Sequence, residues 1–218
     1  MDRTLLLLIN REWTNPVLDW VMAIFTNASL WMPFIAIGAV LLLWKGDFRV
    51  RSFVVVALLS VAFTDGVFTQ SMKKLIHRPR PHEALAEVRE VSLQNAKPEI
   101  LALVRPLRIA LSKPPSGTVE GRSFPSGHTM NNTIVATLAI LFFGRKGAFY
   151  IIPAAIVSYS RIYCGVHWPS DVFVSIILGV GFALLIAGLA AVLYRSVARR
   201  FWPDLYVAHP SLVGASAP

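Results

Sequence analysis

The sequence predicts an all-α fold, a polytopic membrane bundle of about six transmembrane helices, and three observations support this. Of the 218 residues, 55% are apolar and only 15% are charged, whereas an average soluble domain is about 45–50% apolar and about a quarter charged. The apolar residues are concentrated in long runs without charges, as in membrane spans. These runs are continuous rather than alternating, which favours helices as the structures that satisfy the backbone in lipid.

Six apolar segments are candidates for the spans. They lie at Pro16–Thr26, 30–44, 52–70, 126–143, 148–163 and 172–193. The first is short and carries Asp19, so it is either a short span or a re-entrant piece. The third contains Asp65, for which a structural role within the bundle is favoured over support of a site lysine. The last runs for 22 residues without a charge, long enough to cross a hydrocarbon core of about 30 Å.

A single membrane domain is expected over residues 1–200, because the length leaves no room for a second large one. Residues 1–15 place basic side chains beside an apolar stretch at 5–9, which predicts an interfacial helix. Nothing at the start is typical of a cleaved signal peptide, so the first span is expected to act as the uncleaved membrane signal. Residues 201–218 are expected to form a loose C-terminal tail.

Between the third and fourth spans, residues 81–125 are charged and contain several prolines. They predict a partly helical extramembrane cap, with helical fragments at 84–95 and 98–111. A solvated loop without a role is the alternative for this segment. Within it, Pro115-Ser116-Gly117 is interpreted as a turn.

The net charge of +9 clusters at the ends of the apolar runs. This pattern favours anionic lipid headgroups and phosphate substrates as partners, and not nucleic acid. The single cysteine, Cys164, excludes an intrachain disulfide and is expected to be a packed small residue. The oligomeric state is left open.

The short loops carry basic residues that orient the bundle. With the spans above, all of them fall on one side, which should be cytoplasmic. These residues are Lys45, Arg49, Arg51, Arg145, Lys146, Arg195, Arg199 and Arg200. The compact size favours a bacterial source, so the expected location is the inner membrane, with residues 71–125 and 161–171 facing the periplasm.

Three clusters of polar residues border the spans and could carry chemistry. They are Lys73 with Arg80-Pro81, then Pro125-Ser126-Gly127-His128, then Ser160-Arg161 with His167 and Asp171. Taken alone, the first could be snorkelling anchors and the second an ordinary helix start. The third is costly beside two spans unless its residues are paired or used. Because span parity puts all three clusters at one membrane face, they can converge on one pocket.

These residues fit phosphoryl transfer. Lys73, Arg80 and Arg161 supply cations for the phosphoryl oxygens, and the helix start at Ser126 and Gly127 supplies backbone N–H groups. His167, oriented by a hydrogen bond to Asp171, is the candidate nucleophile. His128 is the candidate general acid and then the base that activates water. No cluster of carboxylates or histidines is typical of a metal site.

The three clusters resemble the signature of the type 2 phosphatidic acid phosphatase family, whose superfamily includes vanadium haloperoxidases and bacterial acid phosphatases. Every signature position is met, and the resemblance covers about residues 60–195. It implies a metal-independent, cofactor-free phosphohistidine mechanism in a six-helix core, with the site roles given above. It also implies a hydrolase acting on a lipid phosphate or diphosphate, with undecaprenyl diphosphate and phosphatidylglycerol phosphate first and lipid A phosphate third.

Three alternatives stay open at this stage. A phosphotransferase would pass the phosphate from the same histidine to another lipid or a sugar. A haloperoxidase shares the residue pattern, but a soluble protein would be expected. A catalytically dead transporter or scaffold would be favoured by the loss of a signature residue, and none is lost.

Overall fold

The computed structural model describes residues 1–113, 117 and 121–213. It confirms the predicted all-α membrane bundle. The α-helices are α1 (Asp2–Leu7), α2 (Pro16–Thr26), α3 (Ala28–Lys45), α4 (Phe48–Phe63), α5 (Gln70–Ile76), α6 (Pro81–Ala84), α7 (Gly127–Phe143), α8 (Ile151–Tyr163), α9 (Pro169–Phe201) and α10 (Pro203–Ala208). Two short strands, β1 (Arg89–Ser92) and β2 (Arg108–Leu111), lie between α6 and α7.

Four helical segments of the described chain are long and apolar enough to cross a membrane. They are Ala28–Lys45, Phe48–Ala84, Gly127–Tyr163 and Pro169–Phe201, and α2 is a shorter apolar helix. Many of their apolar side chains are exposed, which is what a surface in contact with lipid requires. The segment Gly127–Tyr163 contains two of the predicted spans. Its arms α7 and α8 pack against each other through the 3-10 turn Gly144–Tyr150, so the chain reverses there.

Side chains at the helix starts explain where the spans begin. Asn15, Asn27 and Asp47 cap α2, α3 and α4 by accepting hydrogen bonds from the backbone N–H three residues on. Each cap satisfies one of the N–H groups that a helix start leaves without a partner. Helix α9 begins with Pro169 in its first turn and with the Asp171 carboxylate accepting from the Trp168 N–H.

The third predicted span is one nearly continuous helix, in which α4 passes through a π-helical turn, Thr64–Thr69, into α5. The helix ends at His77, whose φ of 50° is left-handed. An isolated π turn often marks a functional site, because it re-aims the side chains around it. Lys73 lies in the last turn before this end and Arg80 lies just beyond it.

The cap segment contains a small sheet that the sequence analysis did not predict. Helix α6 and the 3-10 turn Glu99–Val104 are helical, but β1 and β2 pair antiparallel, with Arg89 opposite Leu111 and Ser92 opposite Arg108. The helical prediction for 84–95 is therefore wrong beyond Ala84, the last residue of α6, and that for 98–111 is wrong over β2. The charged residues of the cap segment favoured a helix. Val88 and Val91 are buried by tertiary packing, however, and this packing outweighs local propensity.

Two apolar cores hold the molecule together. One lies within the bundle, among α4, α7 and α9. The other joins α1, α2 and the cap to the ends of α8 and α9, with Leu6, Val88 and Tyr163 fully buried. The cap is therefore a packed layer and not a solvated loop. The predicted N-terminal helix is present as α1 and a π-helical turn, Leu8–Glu12, and it is part of this second core.

The tail expected to be loose from residue 201 is folded as far as residue 213. Helix α10 follows α9, the Tyr194 hydroxyl donates to the His209 carbonyl at 2.6 Å, and the His209 ring stacks on Phe48. The expectation failed because the tail packs on a partner from another part of the chain, Phe48, which no local pattern indicates. Residues 214–218, and Pro115 and Ser116 of the predicted turn, lie outside the described residues.

Candidate active site

The structure brings the three polar clusters together at one end of the bundle. His128, in the first turn of α7, interacts electrostatically with Arg161, His167, Lys73 and Arg80. Helix α5 and the turn after it supply the lysine and Arg80, the end of α8 supplies Arg161, and the α8–α9 loop supplies His167. The chain thus converges from four elements on one group of cations and imidazoles.

Cations outnumber carboxylates in this group. Lys73 interacts with Arg80, Arg161 and Arg122, while Asp65 is the carboxylate among its main electrostatic partners. Arg122 was not among the predicted site residues, because a lone exposed arginine in a loop carries no signal of its own. Such an excess of positive charge is suited to an anion with several oxygens.

Arg161 is 8% exposed and is held from one side. Its Nη1 donates to the Thr26 hydroxyl at 2.5 Å and to the Thr26 carbonyl at 3.1 Å, so the end of α2 fixes the guanidinium. Its Nε has no hydrogen-bond partner in the described part of the chain. A buried N–H without a partner is costly, which makes it available to a bound anion.

The start of α7 is tightly packed against the π turn. A Cβ on Gly127 would lie 2.9 Å from the Asp65 carboxylate, so a larger residue here would require that side chain to shift. The Ser126 hydroxyl pairs with Thr129 at 3.0 Å and its backbone N–H donates to Ser175. Ser126 is fully buried, and both its hydroxyl and its backbone N–H have partners within the protein, so neither group is free for the role predicted toward phosphate.

The hydrogen bond predicted between His167 and Asp171 is not formed. The His167 Nδ1 lies 3.8 Å from the Asp171 Oδ2, and this nitrogen has no hydrogen-bond partner among the described residues. Asp171 is instead engaged elsewhere. Its Oδ2 accepts from the Ser123 hydroxyl at 2.5 Å, and its Oδ1 accepts from Arg78 at 2.5 Å.

Arg78 was not among the predicted site residues. Its guanidinium spans three oxygens, because it also donates to the Ser170 hydroxyl at 2.9 Å and to the Asp2 carboxylate at 2.6 Å. The sequence offers one signal, since Arg78-Pro79 repeats the Arg80-Pro81 dipeptide two residues earlier. Only the fold reveals that the first arginine of the pair meets Asp171.

Burial determines the protonation state of His167, which lies in the loop between the membrane segments and is 2% exposed. Burial lowers the pKa of His167 to about 4; the Arg161 and Arg80 charges add to this effect, and the Asp171 charge opposes it. At neutral pH the imidazole is therefore uncharged, with a lone pair available on one nitrogen.

Comparison with known families decides the class of this site. The PAP2 superfamily matches residues 53–201, a range that contains all three polar clusters. The chain belongs to the PAP2 superfamily. This confirms the resemblance to the type 2 phosphatidic acid phosphatases.

Characterised relatives of this PAP2 chain act on several lipids. It is 28% identical to a lipid A 4'-phosphatase of Bacteroides thetaiotaomicron over 82% of this chain and 72% of the relative. It is 26% identical to phosphatidylglycerophosphatase B of Bacillus subtilis over 83% and 77%. A 48% identical match to an undecaprenyl-diphosphatase of Sulfolobus acidocaldarius covers only 26% of this chain and 28% of the relative.

Two solved PAP2 structures have the same fold. LpxE of Aquifex aeolicus superposes with a TM-score of 0.58 and 25% identity, over 85% of this chain and 93% of that one. A PAP2-type phosphatidylglycerolphosphate phosphatase of Bacillus subtilis superposes with a TM-score of 0.54 over 86% and 85%, at 23% identity. Within residues 1–113, 117 and 121–213, no group of three or more His, Cys, Asp or Glu side chains could hold a metal ion.

Proposed function

We propose that the chain is a membrane lipid phosphatase that works through a phosphohistidine on His167. The observation that carries the proposal is the buried, neutral His167 facing a group of cations that carboxylates do not neutralise. Lys73, Arg80 and Arg161 bind the phosphoryl oxygens, and the unpartnered Arg161 Nε is available to one of them.

The reaction has two steps. First, the His167 Nε2 attacks phosphorus, and the bond to the lipid oxygen breaks as that oxygen takes a proton from His128. Then water attacks the phosphohistidine, His128 takes the proton from the water, and the N–P bond breaks to release inorganic phosphate. The proposed mechanism uses no metal ion and no cofactor in either step.

Retention of the phosphoryl group on His167 is the direct test. Enzyme mixed with a lipid labelled in the scissile phosphate and quenched in alkali should carry an acid-labile label, because phosphohistidine survives base and not acid. His167→Ala should carry none and should release no phosphate. His209→Gln is the matched control, since His209 stacks on Phe48 in the tail. Label retained in His167→Ala would remove this nucleophile.

The class of lipid is proposed from a cavity beside the site. It has a volume of about 490 Å³ and is lined mainly by hydroxyl and amide side chains, with Arg108 as its charged residue. One wall is Thr26, which also holds Arg161. A polar cavity suits a hydroxyl-bearing group next to the scissile phosphate, such as glycerol or a sugar. This favours phosphatidylglycerol phosphate or lipid A phosphate over undecaprenyl diphosphate, in which the scissile phosphate is carried by a second phosphate and not by a glycerol or a sugar.

The phosphotransferase alternative differs only in the acceptor. Under the hydrolase proposal, inorganic phosphate and dephosphorylated lipid form in equal amounts, whatever alcohol is present. Added diacylglycerol or sugar that takes up the labelled phosphate at the expense of free phosphate would favour phosphotransfer.

The site is proposed to face the periplasm from a bacterial inner membrane. The basic residues Arg145 and Lys146 lie at the end of α7 opposite His128, which supports a cytoplasmic position for that turn. In a Cys164→Ser background, a membrane-impermeant thiol reagent should label Glu99→Cys in intact cells and spare Lys146→Cys. The reverse labelling would put the site in the cytoplasm.

A further inference from the structure

A chain of alternating charges runs from the N-terminal helix to the buried carboxylate beside His167. Asp2 accepts from Arg78 at 2.6 Å, and Arg78 donates to Asp171 at 2.5 Å. The Asp171 Oδ2 lies 3.8 Å from the His167 Nδ1. Asp171 is completely buried, whereas the Arg78 and Asp2 side chains are about one third exposed.

We propose that Arg78 and Asp2 are positioning residues that act through Asp171 to set the proton affinity of His167. The inference rests on the proposed function only in taking His167 as the nucleophile. Among the described residues, the side chains of Arg78 and Asp2 hydrogen-bond to each other, to Ser170 and, from Arg78, to Asp171, so each acts on the reaction by controlling the geometry and the effective charge of one carboxylate.

The geometry of Arg78 is fixed from several sides. Ser170 binds both partners, because its hydroxyl accepts from Arg78 and donates to Asp2 at 2.6 Å while its backbone N–H donates to the other Asp2 oxygen at 3.0 Å. The guanidinium also lies 5.3 Å from the centre of the Trp168 ring. Such a fork holds a carboxylate in one orientation, which a flexible lysine would not do.

Asp2 keeps its charge in this arrangement. Burial alone would raise the pKa of Asp2, but hydrogen bonds from Ser170 and Arg78 hold it below its ordinary value. Arg78 therefore lies between two carboxylates, and it neutralises Asp171 only in part. The balance between the two ion pairs determines how much negative charge Asp171 presents to the imidazole.

The groups that face His167 make this charge decisive. Arg161 and Arg80 disfavour protonation of the imidazole, as does His128 when it is charged, whereas Asp171 favours it. Without Arg78, the full charge of Asp171 acts across 3.8 Å and a small rotation makes the missing hydrogen bond. His167 then holds a proton more tightly. As the pH falls, its imidazole therefore becomes protonated at a higher pH than in the wild type. Without the charge of Asp2, Arg78 neutralises Asp171 more fully, and the effect has the opposite sign.

The chain offers a matched control in the ion pair of Arg89 and Asp19. Arg89 donates to both Asp19 oxygens at 2.8 and 2.9 Å and joins the cap to α2. Within the described part of the chain, Asp171 accepts instead from the side chains of Arg78 and Ser123 and from the Trp168 N–H. The Arg89 side chain is 16% exposed, so its removal breaks an ion pair at least as buried as that of Arg78. Arg89→Gln should lower the stability of the fold as Arg78→Gln does, but it should leave the protonation of His167 unchanged.

The experiment measures this protonation without turnover. The whole chain is labelled in its five histidines and titrated by NMR in detergent micelles, with His167→Gln assigning the signal. Arg78→Gln should raise the pH midpoint of His167 by about one unit, within the range expected when a carboxylate loses an adjacent cation. Asp2→Asn should lower it by a smaller amount, and Arg89→Gln should leave it unchanged.

Three results would overturn the inference: an unchanged midpoint in Arg78→Gln, an equal shift in Arg89→Gln, or an upward shift in Asp2→Asn. If Arg78→Gln does not fold, the direction of the Asp2→Asn shift decides. Because the titration needs no substrate, it stays informative even if the chain proves not to be a phosphatase. If it is one, the acid limb of kcat/KM should move with the midpoint in each variant.

Discussion

Replacing Thr26 by valine tests how the end of α2 fixes Arg161. The change is nearly isosteric and removes the hydroxyl that accepts from the Arg161 Nη1 at 2.5 Å, while the Thr26 carbonyl at 3.1 Å remains. A hydrogen bond to a charged group is worth about 1.5–3 kcal/mol. If the phosphate needs the guanidinium in this one orientation, the loss appears in the transition state as a fall in kcat/KM of about 10- to 150-fold.

The assay is phosphate release from a short-chain lipid phosphate in mixed micelles, with kcat and KM measured separately. Thr137→Val is the control, because the Thr137 hydroxyl donates to the Thr133 carbonyl of its own helix. That variant should keep kcat/KM within about twofold of the wild type, as expected for a surface or helix-internal change. A Thr26→Val enzyme that matches the wild type would refute the argument that Thr26 holds Arg161 for catalysis.

Four further predictions follow from the site. Asp171→Asn should lower kcat by at least about a hundredfold with the fold retained, measured by kinetics and thermal unfolding, and an unchanged rate would reduce Asp171 to a helix cap. Phosphate release should persist in EDTA and be blocked by vanadate, and a loss restored by a divalent ion would overturn the metal-free mechanism. Arg108→Ala should lower kcat/KM on a phosphate carried by glycerol or a sugar but spare a prenyl diphosphate, and equal losses on both would exclude the cavity as a headgroup site. Because the pKa of His167 is depressed when folded, the unfolded chain binds more protons, so stability should fall as pH drops from about 6.5 toward 4. His167→Gln should flatten this dependence in denaturant titrations.

The sequence was sufficient to place the polar clusters, because both signals involved are local. Hydropathy positions the ends of the spans, and the spacing within each cluster fixes which residues share an end. Lys73, His128 and Arg161 meet in the structure for this reason. Their roles in catalysis stay predictions until they are tested.

The partners of Asp171 could not be predicted in the same way. The spacing of four residues to His167 suggested a hydrogen bond, and it does place the two side chains 3.8 Å apart. The competing partners Arg78 and Ser123 lie 93 and 48 residues away in sequence. Nothing local indicates that they reach the carboxylate first.

The sheet of the cap could not be predicted from the sequence, for a related physical reason. Short strands have little propensity of their own and form only where a partner and a core are available. The backbone of Arg89 is bound by the side chain of Asn10, 79 residues earlier in the chain. A local pattern of charges cannot contain that information.

The amide of Asn10 has a consequence for the order of assembly. It donates to the carbonyls of Arg89 and Tyr163 at 2.8 and 2.7 Å and accepts from the Arg89 N–H, so it joins the first segment of the chain to the cap and to the end of α8. Asn10 leaves the ribosome before Tyr163, which follows 153 residues later. Its hydrogen bonds therefore stay incomplete until α8 has been synthesised, when Arg161 also becomes available to the site. These contacts form late in synthesis, so an incomplete chain can neither fix its cap in place nor assemble the candidate site.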